Sequence, residues 1–465
     1  MKKYVLLLLA MVSCSKDMEE ILPIPTVNQN TSNIITTPLR INHKYTERIL
    51  LAMDISVNSA PDFIDPSGNE VILLAPSPAR WPLAETLPLP VISLVKKSNV
   101  WSIEEYFDNI NMGMGGRDIF EFGPGGFLWA DTGPEIIDAP DPMNHLYISK
   151  TNNGKTSWTQ VSTYKSFYHG GSAGDLNNDG LLDVVGINLT PSENPDGERI
   201  HTYIQNLDGS FTQRKIIDKT IASYTCPPGE ENCPGFAGSS VLVHDIDNDG
   251  FPEIIKGSSI RFQTDIVRNS LEIYSDKDKD GIYSMLTSVP EMSYWLNSNI
   301  SSSQIKPYDY DMDGDDDLFI FFEDTATEQD FGLGILNNIG EGKFEDSGIR
   351  IDRPINELLA REFELIDFDN DGDLDIMFNL LANWRGTGDI VMDVNNNTLD
   401  LSNLIWENDN GVFHKTNKLG KLPLPSVKSL KFLKAAKVGN RVKFFGIQCL
   451  EPYSNGYINL VEIYL

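Results

Sequence analysis

The chain has 465 residues, of which 40% are hydrophobic, so it is long enough to bury a large core. Its 67 acidic residues outnumber its 37 lysines and arginines, which gives a formal charge of −30. This balance argues against nucleic acid as a partner, because the neutralisation of phosphates requires Lys and Arg. It favours cations.

The first residues have the pattern of an export signal. Lys2 and Lys3 precede the apolar run 4–12, which is too short to span a bilayer. We therefore predict a signal segment over 1–13 that is removed on export. The sequence "MVSC", which ends at Cys14, resembles a bacterial lipobox, and this resemblance implies cleavage before Cys14 and lipid attachment to its sulfur. An ordinary signal peptide followed by an incidental cysteine is the alternative.

Residues 14–45 include a polar, proline-containing segment without a clear period, which predicts a flexible tether between a membrane and a folded domain. The stretch "SKDMEE" after Cys14 resembles the Lys-plus-acid export signal of surface lipoproteins in the Bacteroidetes. The resemblance implies a lipid-anchored protein of the bacterial outer membrane, held at the cell surface. A simple polar linker is the alternative.

From residue 46 to 465, short apolar runs such as "EVILLAPS" and "YINLVEIYL" are typical of β-strands. Four acid-rich segments interrupt them: "DLNNDGLLD" at 175–183, "DIDNDGFPE" at 245–253, "DYDMDGDDD" at 309–317 and "DFDNDGDLD" at 367–375. Their starts are 70, 64 and 58 residues apart. A spacing of this size indicates one repeated supersecondary unit.

We number these segments loops 1 to 4 and their residues positions 1 to 9. Each has an acid or amide at positions 1, 3 and 5, glycine at position 6 and an acid at position 9. Alternate side chains of a tight loop can direct their oxygens at one centre, and glycine permits the left-handed turn that wraps them around an ion. Oxygen donors without His or Cys favour calcium. Position 7 would contribute its backbone carbonyl, which leaves its side chain free to vary.

The predicted calcium ligands are therefore the following: Asp175, Asn177, Asp179, Leu181 and Asp183; Asp245, Asp247, Asp249, Phe251 and Glu253; Asp309, Asp311, Asp313, Asp315 and Asp317; Asp367, Asp369, Asp371, Asp373 and Asp375.

An EF-hand is excluded, because it needs Glu at position 12 and a helix after the loop. Here strand-like runs follow each loop. A fifth segment, "DKDKDG", places Asp276, Asp278 and Asp280 in the same pattern but has Ser284 at position 9. It follows "LEIYS", so we predict an inserted hairpin loop, and whether it binds a metal stays open.

Cysteine usage agrees with export. Cys226 and Cys233 bracket a short loop rich in proline and glycine, "CPPGEENCPG", whose ends could meet at disulfide distance. Cys449 lies in the strand-like "VKFFGIQCL", which predicts a buried, unreactive thiol.

The four loops with their following strands resemble the FG-GAP and VCBS repeats, most fully at 169–188, "HGGSAGDLNNDGLLDVVGIN". The resemblance implies an all-β fold, a β-propeller of four-stranded blades related to the head of integrin α subunits, with calcium loops between the first two strands of a blade. Residues 117–135 resemble a blade that kept its strands and lost the Asp pattern. The spacing extrapolates to about seven blades, and a closed ring leaves only short edges.

The sequence offers one apparent catalytic motif, "GGSAG" at 170–174, which places Ser172 in a G-x-S-x-G frame. A nucleophile elbow needs a helix after the serine, whereas loop 1 begins at Asp175. We therefore predict a non-catalytic surface module for binding, adhesion or scaffolding, whose partner is a surface protein, a matrix component, a glycan or an outer-membrane complex. A calcium-dependent polysaccharide lyase is the alternative, because some lyase families also use calcium-bearing propellers.

Overall fold

A computed structural model describes residues 34–40, 52–57, 65–78, 91–107, 118–123, 126–130, 145–166, 168–188, 200–217, 238–258, 271–288, 300–324, 331–352, 359–381, 398–400, 404–416, 421–423, 430–438, 441–449 and 457–464. Their regular structure is all β, and none of these residues belongs to a helix long and apolar enough to cross a membrane.

The strands of the first half are β1 (Ile34–Arg40), β2 (Ala52–Val57), β3 (Glu70–Pro78), β4 (Val91–Lys97), β5 (Val100–Phe107), β6 (Asp118–Glu121), β7 (Gly126–Ala130), β8 (Tyr147–Asn152), β9 (Lys155–Gln160), β10 (Tyr168–Gly174), β11 (Asp183–Asn188), β12 (Ile200–Gln205), β13 (Phe211–Arg214), β14 (Gly238–His244) and β15 (Glu253–Ser258).

Those of the second half are β16 (Leu271–Ser275), β17 (Ser284–Ser288), β18 (Ile300–Tyr308), β19 (Asp317–Asp324), β20 (Phe331–Asn338), β21 (Phe344–Asp352), β22 (Leu359–Ile366), β23 (Asp375–Leu381), β24 (Thr398–Asp400), β25 (Ile405–Asp409), β26 (Val412–Lys415), β27 (Lys421–Pro423), β28 (Leu430–Val438), β29 (Arg441–Cys449) and β30 (Tyr457–Tyr464).

These strands form the seven blades of a propeller. Blades 1 to 5 are four-stranded antiparallel sheets of consecutive strands, β2–β5, β6–β9, β10–β13, β14–β17 and β18–β21. Blade 6 contains β22, β23, β25 and β26, and blade 7 contains β28, β29, β30 and β1. The first strands of blades 2 to 7 contact each other in succession, and the first strand of blade 7, β28, contacts β2 of blade 1. Blades 1 and 2 contact each other through their fourth strands, β5 and β9. The prediction of a propeller with about seven blades is confirmed.

The ring closes through the N-terminal strand. β1 pairs antiparallel with β30 over its whole length, from Ile34 opposite Ile463 to Arg40 opposite Tyr457, and so supplies the outermost strand of blade 7. The predicted tether, 14–45, therefore contains a propeller strand, and the propeller begins before residue 46. The short segment "IITTPLR" becomes a strand because it covers the exposed edge of the last blade.

The core lies between neighbouring blades, where second strands are buried on both faces. In β19 the residues 318–322, "LFIFF", are all at most 4% exposed, which explains why the run is continuously apolar instead of alternating. Phe321 contacts Phe363 and Phe378 of blade 6 with ring centroids 6.4 and 6.1 Å apart. Aromatic side chains thus hold blade 5 against blade 6.

Because the strands of each blade alternate in direction, two of its connections lie at one end: the loop from the first strand to the second, and the hairpin from the third strand to the fourth. We call this end of the ring the loop face. Loops 1 to 4 are all first-to-second connections, and β11, β15, β19 and β23 each begin at position 9. The prediction that the loops lead into strands is confirmed, and residues 118–121 and 126–130 form β6 and β7 of a blade without the Asp pattern, as the sequence indicates.

Candidate metal centres

The four loops share one backbone conformation. The residue before position 1 pairs with position 9 in every case, as Gly174 does with Asp183. The glycine at position 6 has φ between 85° and 104°, and position 4 is also left-handed, with φ between 58° and 63° at Asn178, Asn248, Met312 and Asn370. Three of these four are asparagine, which tolerates this conformation better than most residues. The sequence pattern indicates the glycine but not this second left-handed position.

Position 1 anchors the inside of each of the first three loops. Asp175 accepts hydrogen bonds from the backbone N–H groups of Asp179, at 3.0 Å, and Gly180, at 2.7 Å. Asp245 and Asp309 accept the equivalent pairs at 2.9–3.0 Å. These bonds hold the carboxylate at the centre of the loop, where a bound cation would lie.

Carboxylate oxygens converge in three of the loops. Positions 1, 3 and 9 of loop 2 (Asp245, Asp247, Glu253) and of loop 3 (Asp309, Asp311, Asp317) can each place one oxygen within 4.8 Å of the other two. In loop 4 the converging group is Asp367, Asp369 and Asp371, at positions 1, 3 and 5. Loop 1 has Asn177 at position 3 and hence one carboxylate fewer. Oxygen-only groups this close suit a hard divalent cation, which offsets their mutual repulsion.

Position 9 has a second role that the sequence did not reveal. Asp183 is fully buried and accepts the N–H of Leu176 in its own loop, at 2.9 Å, and the N–H of Gln205 at the end of the third strand, at 2.8 Å. Asp317 and Asp375 make the same two bonds in blades 5 and 6. The position 9 carboxylate therefore links the first loop of a blade to its third strand.

Burial perturbs these carboxyl groups. Desolvation raises the pKa of Asp183 to about 6 and that of Glu253, Asp317 and Asp375 to about 7, although the hydrogen bonds that they accept act in the opposite direction. A divalent cation beside them would favour the ionised form. In loops 2 and 3 the group with the raised pKa, Glu253 or Asp317, is thus one of the three carboxylates that converge.

Position 5 faces solvent. The exposed Asp179, Asp249 and Asp313 each accept the N–H of position 7 at 2.9–3.0 Å, and Asp371 accepts it at 3.2 Å. This bond turns the backbone after the glycine. It leaves the solvent side of each loop lined by carboxylates.

The position 7 side chains of loops 3 and 4 make contacts of their own, and the prediction that this side chain is free to vary stays a prediction. Asp315 accepts a hydrogen bond from Asn248 of loop 2 at 3.2 Å. Asp373 is only 7% exposed; its Oδ2 accepts the N–H of Asn410 at 3.4 Å, and its Oδ1 has no hydrogen-bond partner among the described residues. Burial and the neighbouring Asp371 raise the pKa of Asp373. Its carboxylate therefore lies close to that of Asp371, outside the converging group of loop 4.

The fifth segment adopts the same turn in a different place. It connects β16 to β17, the third and fourth strands of blade 4, which agrees with an inserted hairpin loop. Asp276 is buried and accepts the N–H groups of Asp280, at 3.1 Å, and Gly281, at 2.8 Å. Asp278 and Asp280 are exposed, and Ser284 provides no carboxylate at position 9. The turn is therefore kept without the full ligand pattern.

Hydrogen bonds join neighbouring loops into a continuous layer. His244, directly before loop 2, pairs with Asp316 of loop 3 at 2.7 Å, and this bond lowers the pKa of Asp316. Asn338 donates to the carbonyl of Ile246 at 2.8 Å. Tyr283, in the fifth segment, donates to the carbonyl of Leu176 at 3.1 Å. The hairpins of blades 4 and 5 thus contact the acid-rich loops of blades 3 and 4.

The G-x-S-x-G match is structural. Ser172 lies within β10, is 7% exposed, and accepts a hydrogen bond from the N–H of Val243 in blade 4 at 2.9 Å. The chain then enters loop 1, not a helix. Ser172 therefore connects two blades.

Three predicted residues, Cys14, Cys226 and Cys233, lie outside the described residues, so lipid attachment and the disulfide stay predictions. Cys449 lies in β29.

Comparison with known proteins supports the repeat. Residues 175–255 match the family model of the FG-GAP-like repeat. The match runs from loop 1 through β11, β12 and β13 of blade 3 to β14 and loop 2 of blade 4. No curated protein matches the chain. The resemblance drawn from the loops is confirmed for this part of the chain.

Proposed function

We propose that this seven-bladed propeller, which contains an FG-GAP-like repeat, is a calcium-binding module without catalytic activity. A lipid anchors it at the surface of the bacterial outer membrane. Its role is to bind or scaffold a surface protein, a matrix component or a glycan, alone or as the accessory subunit of an outer-membrane complex.

One observation carries the calcium proposal: the carboxylates at positions 1, 3 and 9 of loops 2 and 3 converge within 4.8 Å. These residues lie up to eight positions apart in sequence, and the loop backbone alone brings them together. The donors are all hard oxygens, as calcium prefers. The surrounding N–H groups already orient the carboxylates, so little ordering is left for the ion to impose.

The location of the acidic side chains supports a non-catalytic role. In the part of the chain that the structure describes, the converging carboxylates are those of loops 2, 3 and 4. In loops 2 and 3 those at positions 1 and 9 accept backbone N–H groups. A carboxylate that holds calcium is a poor general acid, because the ion keeps its pKa low. The loops therefore stabilise the ring instead of forming a reaction centre.

Chelation tests the calcium proposal. We expect the purified full chain to contain up to one calcium ion per loop by elemental analysis and to melt at a lower temperature in excess chelator. Each loop saturated at a hundredfold excess of calcium over Kd contributes about 2.7 kcal/mol. Added calcium should restore the melting temperature. An unchanged melting curve in chelator, with no calcium in the protein, would refute the proposal.

Two assays separate the binding module from a lyase. Affinity capture from native membranes should recover a partner of the anchored protein. Incubation with a panel of acidic polysaccharides should produce no absorbance from new unsaturated ends. Release of unsaturated products that stops in chelator would replace the binding proposal with the lyase.

A further inference from the structure

Exposed apolar side chains gather on the loop face. Among the described residues, five hairpins between third and fourth strands carry one at or beside the turn: Val100 (64% exposed), Leu207 (97%), Ile282 (46%), Ile339 (57%) and Val412 (54%). Met312 of loop 3, 59% exposed, lies at the same face. Single exposed apolar residues are ordinary, but their recurrence at equivalent hairpins of blades 1, 3, 4, 5 and 6 is a feature of one face.

The chain also enters the propeller at the loop face. Ile34, the first residue of β1, pairs with Ile463 near the end of β30, and β30 is the third strand of its blade, which runs toward the loop face. Arg40, at the other end of β1, lies at the opposite face. The lipid anchor proposed at Cys14 is twenty residues before Ile34. Twenty residues can span at most about 70 Å.

We propose that the loop face lies against the lipid bilayer that holds the anchor, with the apolar hairpin tips in the headgroup region. This inference rests on the proposed lipid attachment at Cys14. A planar lipid surface fits single apolar side chains spaced around a ring, each of which adds a small area of contact. A protein partner would instead favour a contiguous apolar centre surrounded by a polar rim.

Charge makes this contact depend on calcium. The exposed carboxylates at position 5, Asp179, Asp249, Asp313 and Asp371, line the same face. Without a cation they repel anionic headgroups. Calcium in the loops reduces that repulsion, and a divalent ion can be shared between a carboxylate and a phosphate oxygen.

Photocrosslinking in intact cells tests the orientation. A photoreactive amino acid replaces Leu207 or Ile339 on the loop face, or, as the matched control, Tyr164. Tyr164 is 38% exposed in the connection from blade 2 to blade 3, at the opposite face. All three positions are exposed, so the variants should keep the wild-type melting temperature. We expect lipid adducts at 207 and 339, none above background at 164, and a loss of the adducts in chelator while the protein stays in the membrane fraction.

The other outcomes would overturn the inference, and they distinguish a wrong orientation from a wrong lipid anchor. Protein adducts in place of lipid adducts at 207 and 339 would show that the loop face docks on a protein. Lipid adducts at 164 that equal those at 207 would show no preferred face. Wild-type protein in the soluble fraction would refute the lipid anchor itself, and the orientation with it, whereas membrane retention without adducts would refute the orientation alone.

Discussion

The double role of Asp183 makes a prediction that separates folding from metal binding. Asp183→Ala removes a predicted calcium ligand and also leaves the N–H groups of Leu176 and Gln205 buried without an acceptor. Asp179→Ala removes a predicted ligand of the same loop, but Asp179 is exposed and the N–H groups that it serves can bond water. The two variants should therefore differ most when calcium is absent.

The magnitude follows from the two orphaned groups. Each unsatisfied buried N–H costs about 1–3 kcal/mol, and the relief of a carboxylate whose pKa burial has raised to about 6 offsets part of that cost. We expect Asp183→Ala to lower the free energy of unfolding by about 2–5 kcal/mol in chelator. Asp179→Ala should cost at most about 1 kcal/mol under the same conditions. In calcium both variants lose additional stabilisation from the weakened site.

Urea unfolding followed by tryptophan fluorescence measures the difference, with each variant studied in excess chelator and in saturating calcium. Asp183→Asn is the conservative control, because it keeps one acceptor oxygen at nearly the same volume and should fall between the wild type and the alanine variant. Equal unfolding midpoints for Asp183→Ala and Asp179→Ala in chelator would refute the argument. Position 9 would then act through the ion alone.

Three further predictions concern other parts of the chain. Lys443 is 2% exposed and pairs with Glu70 of blade 1 at 2.6 Å and with Glu462 at 2.9 Å. Lys96 also pairs with both carboxylates, at 3.4 and 3.0 Å, so Lys443→Met leaves each of them one cation at the ring closure. It should therefore lower the free energy of unfolding in urea by about 1–3 kcal/mol, less than the loss of a sole partner would. The control is Lys343, which is exposed and pairs with Glu341 in solvent. Its replacement by Met should change the free energy of unfolding by less than about 1 kcal/mol. Equal effects of the two substitutions would contradict this role for Lys443. Cys14→Ala should release the protein from the membrane fraction, and continued retention would count against lipid attachment. Asp373→Leu should reduce the calcium bound per chain by one equivalent in calorimetric titration if the Asp373 carboxylate serves loop 4, whereas undiminished binding would return position 7 to its predicted backbone role.

The sequence predicted those features that depend on residues close together in the chain. Glycine at position 6 and short polar side chains at alternate positions specify a tight turn, and β-branched and aromatic runs after it specify a strand. That is why the four loops, their entry into strands and the displaced fifth turn could be located from the pattern alone. The spacing of the loops then indicated about seven blades, since a ring of equal units must close.

Contacts between distant residues were decided only by the tertiary structure. Ser172 looks like a nucleophile until Val243, 71 residues later, supplies its hydrogen bond donor. The segment 34–40 looks like part of a tether until β30, more than 400 residues later, offers it an unpaired edge. The sequence by itself thus determined the shape of each loop, because local backbone preferences act within a few residues. Only the closed ring determined what each loop residue contacts, because burial and hydrogen bonding depend on which blades meet.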